Sequence, residues 1–273
     1  MSGFTEDLIA WIEDNLENPL LVDDVTQKAG YSKWYLQRRF KRETGIPLAK
    51  YIRDRRLCKA ALLVRMSRLP MMEIAARYQF DSQQSFNRRF KQHFGVPPGE
   101  YRRAGDWRFT GIRPRHAFTD LSPRPVVSRV TLAQRLTRHG GRISHCRVDQ
   151  LESLAFHYET RAPLFAAIDG MLATQPGPVW LAEQNVPESS AEISFTSCLC
   201  RPTAEGEPTL AASGDYLALP LTGTQEALSR AIMHFYLYEM TEHGHVRRDG
   251  HDLLRIDQTA EGVYQGCYFV PVA

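Results

Sequence analysis

The chain has 273 residues, of which 43% are hydrophobic and 24% are charged, and this length is sufficient for two or more globular domains. It contains no run of 18 apolar residues and no N-terminal basic segment followed by an apolar core, which excludes a membrane-spanning helix and a secretory signal and predicts a cytoplasmic protein without membrane association. The net charge of +3 hides a division, because residues 1–105 carry +7, residues 106–142 carry +6 and residues 143–273 carry −10. A basic part that attracts DNA phosphates and an acidic part that repels them predict different partners for the two.

A short motif occurs twice, 50 residues apart. Residues 38–41 and residues 88–91 both read Arg-Arg-Phe-Lys, and a glycine, a proline and a tyrosine follow at matching positions. Each copy is preceded by an apolar helix face, a break near Gly30 or Gln79, and a second apolar face at i, i+4 spacing, which is typical of a helix-turn-helix. Because a solenoid needs about three repeats, two copies predict two helix-turn-helix modules in an all-α N-terminal domain.

The outward positions on the second helix of each module carry side chains that suit a DNA groove. Arginine pairs with guanine edges, glutamine and asparagine pair with adenine edges, and Trp34 offers apolar surface to a thymine methyl group. The alternative is that these residues form the solvated faces of ordinary helices, but the matched duplication favours a role in DNA reading. We expect DNA contacts from Trp34, Gln37, Arg38, Lys41, Gln83, Gln84, Ser85, Asn87, Arg88 and Lys91.

Residues 29–41, 51–57 and 80–86 carry a resemblance to a known family. They resemble the DNA-binding domain of the AraC/XylS transcription regulators, in the MarA/SoxS/Rob branch, and the placement of that domain first in the chain is Rob-like. The resemblance implies that a long helix joins the modules. No glycine or further proline occurs between Pro47 and Met66, and about 20 residues at 1.5 Å rise span roughly 30 Å, close to the ~34 Å turn of B-DNA. A monomer is therefore expected to bind double-stranded DNA at an asymmetric site, because its two reading helices differ.

Residues 105–142 are expected to be a basic linker between an N-terminal domain of residues 1–104 and a C-terminal domain of residues 143–273. Prolines and glycines interrupt this stretch, and only residues 126–139 have helical periodicity. Its eight arginines either contact DNA phosphates or belong to a solvated tether. We favour the tether.

The C-terminal region is expected to be an α+β domain. Strands are predicted at 154–160, 179–183, 193–200, 216–221, 252–256 and 264–272, and helices at 164–173 and 225–243. A strand-helix-strand-strand unit used twice predicts two sheets around a cleft. The segments 215–223, 236–238 and 268–272 resemble the GyrI-like effector-binding domain, which implies binding of a small amphipathic, often cationic, effector.

The closing strand departs from the GyrI-like pattern at Cys267, where that pattern carries a glutamate. The change removes a carboxylate that is expected to face a cation, and Glu183 is the candidate to replace its charge. The alternative is that Glu183 is solvated and the nearby aromatic residues belong to the core. The residues predicted to line a ligand site are Phe156, Tyr158, Trp180, Glu183, Phe195, Cys267 and Tyr268.

No catalytic residue, cofactor or metal is predicted. The chain lacks the GxxxxGK[ST] and GxSxG patterns. His243, His245 and His251 lie near glycines in an expected exposed turn, without an evident supporting carboxylate. The five cysteines contain no CxxC pair and are expected to be buried thiols, with a redox-sensing pair of Cys198 and Cys200 as the alternative.

These features predict a DNA-binding transcription regulator of the stress or multidrug-response type, expected to be an activator. Binding of an effector or partner to the C-terminal domain would change DNA occupancy or contact with RNA polymerase. Two alternatives concern that domain alone: a ligand-free protein-interaction module, or a small hydrolase. An exposed apolar patch would favour the first, and turnover dependent on Glu183 would favour the second.

Overall fold

The computed structural model describes residues 3–116, 126–203 and 208–273. The chain divides into two compact units. One contains the helices of residues 3–103, and the other contains residues 104–110 and nearly all described residues after 126. In the described part of the chain, no helix is both long enough and apolar enough to cross a membrane.

The first unit is entirely helical. Helices α2 and α3 form one helix-turn-helix module, helices α5 and α6 form the second, and α4 joins them, which confirms the predicted pair. The helices are α1 (Gly3–Asp14), α2 (Val22–Ala29), α3 (Lys33–Thr44), α4 (Leu48–Met66), α5 (Met71–Arg77), α6 (Gln83–Phe94) and α7 (Pro98–Arg103).

Both second helices begin and end in the same way. The hydroxyl of Ser32 accepts the N–H of Tyr35 at the start of α3, and that of Ser82 accepts the N–H of Ser85 at the start of α6. Each helix ends at a glycine with a left-handed backbone, with φ values of 75° at Gly45 and 82° at Gly95. Serine provides the missing N-terminal acceptor, and glycine tolerates the positive φ that closes the helix. The duplicated sequence therefore encodes duplicated helix ends.

Helix α4 supports both modules. It begins after Pro47 and has 19 residues, which gives a length of about 28 Å. Its buried Arg55 makes two hydrogen bonds to the carboxylate of Glu13 on α1, at 2.7 and 2.8 Å, and Tyr51 donates to the same carboxylate at 2.8 Å. At the other end of α4, Arg102 of α7 donates to the backbone carbonyls of Val64 and Leu69.

The second unit is built on a closed antiparallel barrel with the strand order β2-β4-β3-β7-β8-β5. Helices α8 and α9 contact its strands, and a short pair of strands, β1 and β6, lies beside the barrel sheet as a separate ladder. The strands are β1 (Asp106–Arg108), β2 (Ser128–Arg147), β3 (Val179–Val186), β4 (Glu192–Pro202), β5 (Leu210–Thr224), β6 (Val246–Arg248), β7 (Asp252–Ala260) and β8 (Val263–Pro271). The helices are α8 (Leu154–Thr174), α9 (Gln225–His234), a π-helical segment (Phe235–Glu239) and α10 (Met240–Glu242).

Strand β2 corrects the prediction for the basic stretch. Residues 126–139 were expected to have helical periodicity inside a linker, but Ser128–Arg147 form one strand. Its first part pairs with β5 from Ser128↔Ala218 to Leu136↔Leu210, and its second part pairs with β4 as far as Arg147↔Glu192. The strand is favoured because alternate side chains from Val130 to Leu136 face the core cluster. Residues 128–142 therefore belong to the barrel and not to a tether.

Helix α8 corrects a second prediction, since residues 154–160 are helical and not a strand. The apolar residues at 154, 156 and 158 suggest alternation, but the buried residues of this element are Arg161, Leu164, Phe165 and Ile168. That spacing is helical, and the hydroxyl of Ser153 caps the helix by accepting the N–H of Phe156. The first strand of the barrel is β2, and the two expected sheets form one closed barrel.

Candidate functional site: a nucleic-acid interface

Helix α3 presents four predicted DNA-reading residues to solvent. Its buried Leu36 and Phe40 fix which face points inward, so Trp34, Gln37, Arg38 and Lys41 are exposed on the opposite side. Trp34 is 67% exposed, and a large apolar side chain so open to solvent indicates a contact surface. The guanidinium carbon of Arg38 lies 5.2 Å from the Trp34 ring centroid, which is within the range of a cation–π contact.

Helix α6 presents a matching but different face. Phe86 and Phe90 are buried, and Gln83, Gln84, Arg88 and Lys91 are exposed. The other two predicted residues are half-buried: the backbone of Ser85 takes part in the Ser82 cap, and the Oδ1 atom of Asn87 is buried without a partner among the described residues. Eight of the ten predicted contacts are thus exposed on the two helices.

The exposed cations on these faces are available for phosphate. Arg38, Lys41, Arg88 and Lys91 form no ion pair with any acidic side chain in the part of the chain that the structure describes. Arg39 differs, because its Nε donates to Glu43 at 2.9 Å and its guanidinium lies 4.4 Å from the Phe4 ring centroid. The hydrogen bond to Glu43 outweighs burial and raises the pKa of Arg39. Arg39 therefore holds α3 against α1.

Contacts between the modules fix the two faces relative to each other. Arg77 of α5 lies 3.3 Å from Glu17, which follows α1. The side chain of Gln79, in the second turn, donates to the carbonyl of Glu17 at 2.6 Å. Arg56 of α4 donates to the carbonyls of Leu16 and Asn18. The sequence pattern does not reveal these contacts, although the break predicted near Gln79 coincides with its positive φ of 62°.

The residues predicted to line a ligand site in the C-terminal domain separate into different environments. Trp180 and Cys267 belong to the core cluster of the barrel. Glu183 and Tyr268 lie on the other face of their strands, since strand side chains alternate. Phe156 and Tyr158 lie in the first part of α8, Tyr158 being 42% exposed, and Phe195 pairs in register with Asn185 on β3.

Glu183 does not present a free charge. Arg161 of α8 donates to its carboxylate at 2.7 Å, and both side chains are largely buried. Ser197 adds a second, longer hydrogen bond at 3.4 Å. A cationic ligand that used Glu183 would have to displace Arg161.

An arginine side chain, Arg255, lies near Cys267 on the barrel sheet. Arg255 pairs in register with both Trp180 and Cys267, and its guanidinium lies 5.9 Å from the Trp180 ring and 5.8 Å from the Phe269 ring. Burial raises the pKa of Cys267 to about 11, so this thiol is neutral at pH 7. A neutral thiol and a nearby arginine make the position less favourable to cations than a carboxylate would be.

A half-buried polar cluster surrounds Asp252, and no sequence pattern predicted it. Tyr268 donates to the Asp252 carboxylate at 3.0 Å, Tyr236 of the π-helical segment donates to it as well, and Arg247 lies 3.0 Å from it. Burial and then the Asp252 charge raise the pKa of both tyrosines. Burial alone would lower the pKa of Arg247. The nearby Asp252 and Tyr236 have the larger effect, and the pKa of Arg247 is raised. A charged residue at the start of an apolar strand is the only signal that could have indicated Asp252.

The histidines near residue 245 also have a neighbour that was overlooked. Glu239 lies four residues before His243, and ligand atoms of Glu239, His243 and His245 all lie within 4.8 Å of one another. The sequence pattern placed His251 in this group and showed no evident supporting carboxylate. In the structure the group consists of Glu239, His243 and His245, and His251 is not part of it.

Comparison with known proteins agrees with the architecture. A family model described as a helix-turn-helix domain matches residues 25–104. The right origin-binding protein of Escherichia coli (strain K12) is 32% identical over 273 residues, covering 93% of this chain and 90% of the relative.

Shorter relatives match the helical part of the chain. The HTH-type transcriptional activator AarP of Providencia stuartii is 48% identical over 101 residues, covering 37% of this chain and 75% of the relative. The multiple antibiotic resistance protein MarA of Salmonella typhimurium is 50% identical over 95 residues, covering 35% of this chain and 75% of the relative. The chain therefore belongs to the AraC/XylS family of DNA-binding transcription regulators, with the Rob-like arrangement of a helix-turn-helix region followed by a sheet-rich C-terminal region.

Proposed function

We propose that this regulator binds one asymmetric double-stranded DNA site as a monomer, with α3 and α6 in successive major grooves. The observation that carries the proposal is that two helices with the same caps and the same buried aromatic position present different exposed polar side chains. The 19-residue α4 that joins them is about 28 Å long, close to the ~34 Å helical turn of B-DNA. One chain thus supplies two DNA-reading helices, as a symmetric dimer does at a palindromic site. Because the two helices differ, the site is expected to be asymmetric.

The exposed side chains suggest a division of labour. Arg38 and Arg88 suit guanine edges, Gln37, Gln83 and Gln84 suit adenine edges, and Trp34 suits a thymine methyl group. The Oδ1 atom of Asn87 is buried, so this side chain suits a two-bond adenine contact less well. Lys41 and Lys91 lie one turn further along their helices, where they suit phosphate oxygens, and Ser85 suits either a base or a phosphate. Base contacts set sequence preference, and phosphate contacts set register and salt dependence.

We further propose that the regulator activates transcription by contacting RNA polymerase. This is supported by the relative AarP, whose name describes a transcriptional activator and which is 48% identical over the helical region. The C-terminal domain is proposed to sense a small amphipathic effector and to change DNA occupancy or the polymerase contact. Its acidic composition, a net −10 over residues 143–273, favours positively charged compounds at long range, while Arg255 and Arg161 oppose them at the predicted site.

The DNA-binding proposal is tested with the full chain and duplex DNA fragments. Binding should saturate at one chain per site, and the affinity should fall by orders of magnitude between about 50 and 200 mM salt, because several phosphate contacts release counterions. Mass photometry of the complex gives the stoichiometry, and fluorescence anisotropy gives the salt dependence. An obligatory dimer on DNA, or a complex insensitive to salt, would contradict the proposal.

The effector proposal is tested by calorimetry with amphipathic compounds whose head groups are cationic, neutral or anionic. Cys267→Glu restores a carboxylate beside Arg255 and should raise the affinity for aromatic cations. Arg255→Gln removes the competing cation and should act in the same direction, whereas Glu183→Gln should abolish cation binding only if Glu183 supplies the charge. If no variant binds cations, a cationic effector is excluded. Neutral compounds, anionic compounds and a protein partner then stay as candidates.

A further inference from the structure

Three side chains around α10 and in the turn before β6 lie close together. Glu239 ends the π-helical segment, His243 follows α10, and His245 precedes β6. Their ligand atoms all lie within 4.8 Å of one another, and the Nδ1 atom of His243 lies 3.2 Å from a carboxylate oxygen of Glu239. From this geometry we propose that the three residues form a binding site for a divalent transition-metal ion of the Zn²⁺ type.

The local backbone explains why residues so close in sequence can surround one ion. Glu239 and His243 occupy positions i and i+4, so they lie on the same helix face, one turn apart. Gly244 then adopts a left-handed conformation with φ of 64°, which reverses the chain. The His245 ring consequently returns to within 5.9 Å of the His243 ring, measured between centroids, at an angle of 31°.

His245 distinguishes this arrangement from an ordinary helix ion pair. A Glu–His pair at i, i+4 is common on helix surfaces and needs no metal. His245 lies outside the helix, and its ligand atom still faces the same point. A further imidazole beside an existing Glu–His pair adds positive charge when protonated, but adds a ligand when it is neutral and a cation is bound.

The donor set selects the class of ion. Two imidazole nitrogens and one carboxylate oxygen form a common three-residue zinc set, with a fourth position left for water. Ca²⁺ and Mg²⁺ prefer oxygen ligands alone and are not expected here. His243 is 54% exposed, so an ion and its water ligand reach the site from solvent. Arg129, whose charge acts on His245, is itself paired with Asp215 at 2.8 Å.

The ion would add a second link between two elements that Arg247 and Tyr236 already connect at Asp252. On one side lies the helical segment that carries Tyr236, a donor to the half-buried Asp252. On the other side lies β6, which pairs with β1 from Asp106↔Arg248 to Arg108↔Val246. Binding should therefore rigidify residues 239–248 together with the β1–β6 ladder.

The test uses untagged full-length protein, stripped of metal by a chelator and titrated with Zn²⁺ in a calorimeter. We expect one site that is weakened at least about tenfold by each of His243→Ala, His245→Ala and Glu239→Gln, because each removes one of three ligands. His251→Ala is the matched control, a histidine from the same region that is outside the cluster, and it should bind as the unmodified chain does. Circular dichroism of each metal-free variant checks that the fold is retained.

A second measurement locates the ion. Hydrogen exchange should show that Zn²⁺ protects backbone amides of residues 239–248 and 106–108 in the unmodified chain and in His251→Ala, but not in His243→Ala. The proposal is overturned if Zn²⁺ does not bind at millimolar concentration, or if binding persists unchanged in both His243→Ala and His245→Ala. Binding that is lost only when cysteines are blocked would also overturn it, since that assigns the ion to thiols.

Discussion

The two helix-turn-helix modules are built on the same frame but are stabilised differently. Both second helices have a serine cap, a buried phenylalanine at matching positions and a glycine end. In the first module the buried Phe40 contacts one aromatic ring among the described residues, that of Tyr51. Glu43 connects α3 to α1 by accepting the hydroxyl of Thr5, and it also accepts from Arg39 on its own helix. In the second module, His93 takes the position of Glu43, and Phe90 packs among three aromatic rings. The comparison shows that the repeat preserves the presentation of the reading helix and allows its support and its exposed surface to change.

The largest expected effect comes from the matched phenylalanines. Phe90→Ala and Phe40→Ala should each lower the free energy of unfolding by about 3–5 kcal/mol, because each leaves a buried cavity. Phe90→Ala should be the more severe, since each aromatic contact adds about 0.5–1.5 kcal/mol and Phe90 has ring centroids of Phe86, Phe94 and Tyr101 at 5.5, 4.5 and 5.3 Å. Denaturant unfolding gives the values. A larger loss for Phe40→Ala would contradict the difference in support between the modules.

Glu43 gives the next largest effect, and one that depends on pH. The hydroxyl of Thr5 and the guanidinium of Arg39 lower the pKa of Glu43, although burial opposes them. A lowered pKa stabilises the fold above the pKa of the unfolded carboxyl group, and this contribution is lost as the pH falls through the folded value. Glu43→Gln should cost about 1.5–3 kcal/mol near pH 7, typical of hydrogen bonds to a charged group, and less in acid.

Hydrogen exchange resolved by residue checks which module responds. Acid should weaken protection in α3 before α6, because His93 replaces the carboxylate in the second module. Asp7, which is exposed, supplies the control, and Asp7→Asn should leave stability within about 0.5 kcal/mol. Equal acid sensitivity of the two helices would mean that Glu43 is not the source.

The reading surfaces are compared through DNA affinity. Arg38→Ala and Gln84→Ala should each cost roughly 1–3 kcal/mol on the specific site and relax preference at a few bases, in different halves of the site. Trp34→Ala should behave similarly and affect the Arg38 half. Lys41→Ala should weaken specific and random DNA alike and reduce the salt dependence. If Arg38→Ala lowers both affinities equally, its assignment as a base reader is wrong.

The smallest expected effect tests the shared part of the frame. Ser32→Ala and Ser82→Ala each remove a capping acceptor, and each should cost about 1 kcal/mol. The two losses should agree, because each serine hydroxyl accepts the N–H three residues further on, at 3.3 and 3.1 Å. Thermal unfolding at one pH and salt concentration measures both. Replacement by aspartate should restore the capped helix and recover most of the stability.

The sequence was most informative where structure depends on nearby residues. Helix faces, serine caps and glycine ends are determined within a few residues, so the repeated motif predicted both modules and which side chains face solvent. Helix α4 was predicted for the same reason, as the stretch after Pro47 contains no helix breaker. Half-burial of Asn87 was not predicted, because it depends on how α6 packs in three dimensions.

Prediction was weaker where structure depends on distant pairing. Strand β2 was interpreted as linker and helix because its partners, β4 and β5, lie far away in the sequence. The Arg161–Glu183 pair and the position of Arg255 over Trp180 likewise require the register of the barrel. Aromatic content alone could not distinguish a ligand site from a core in which Arg255 lies against the aromatic rings. Glu239 was not predicted as a ligand because it lies on the helical segment before the turn, and only the folded turn brings His243 and His245 to it.

The pairing of β2 has a consequence for the rate and order of folding. Ser128 must find Ala218, about 90 residues further along the chain, and contacts between such distant residues form slowly because a long loop must close first. The helical modules close through much shorter loops. During synthesis from the N-terminus, the DNA-binding region can therefore complete its fold while β2 still lacks its β5 partner. A ribosome-bound chain passes through a stage in which DNA-binding helices exist without a finished barrel.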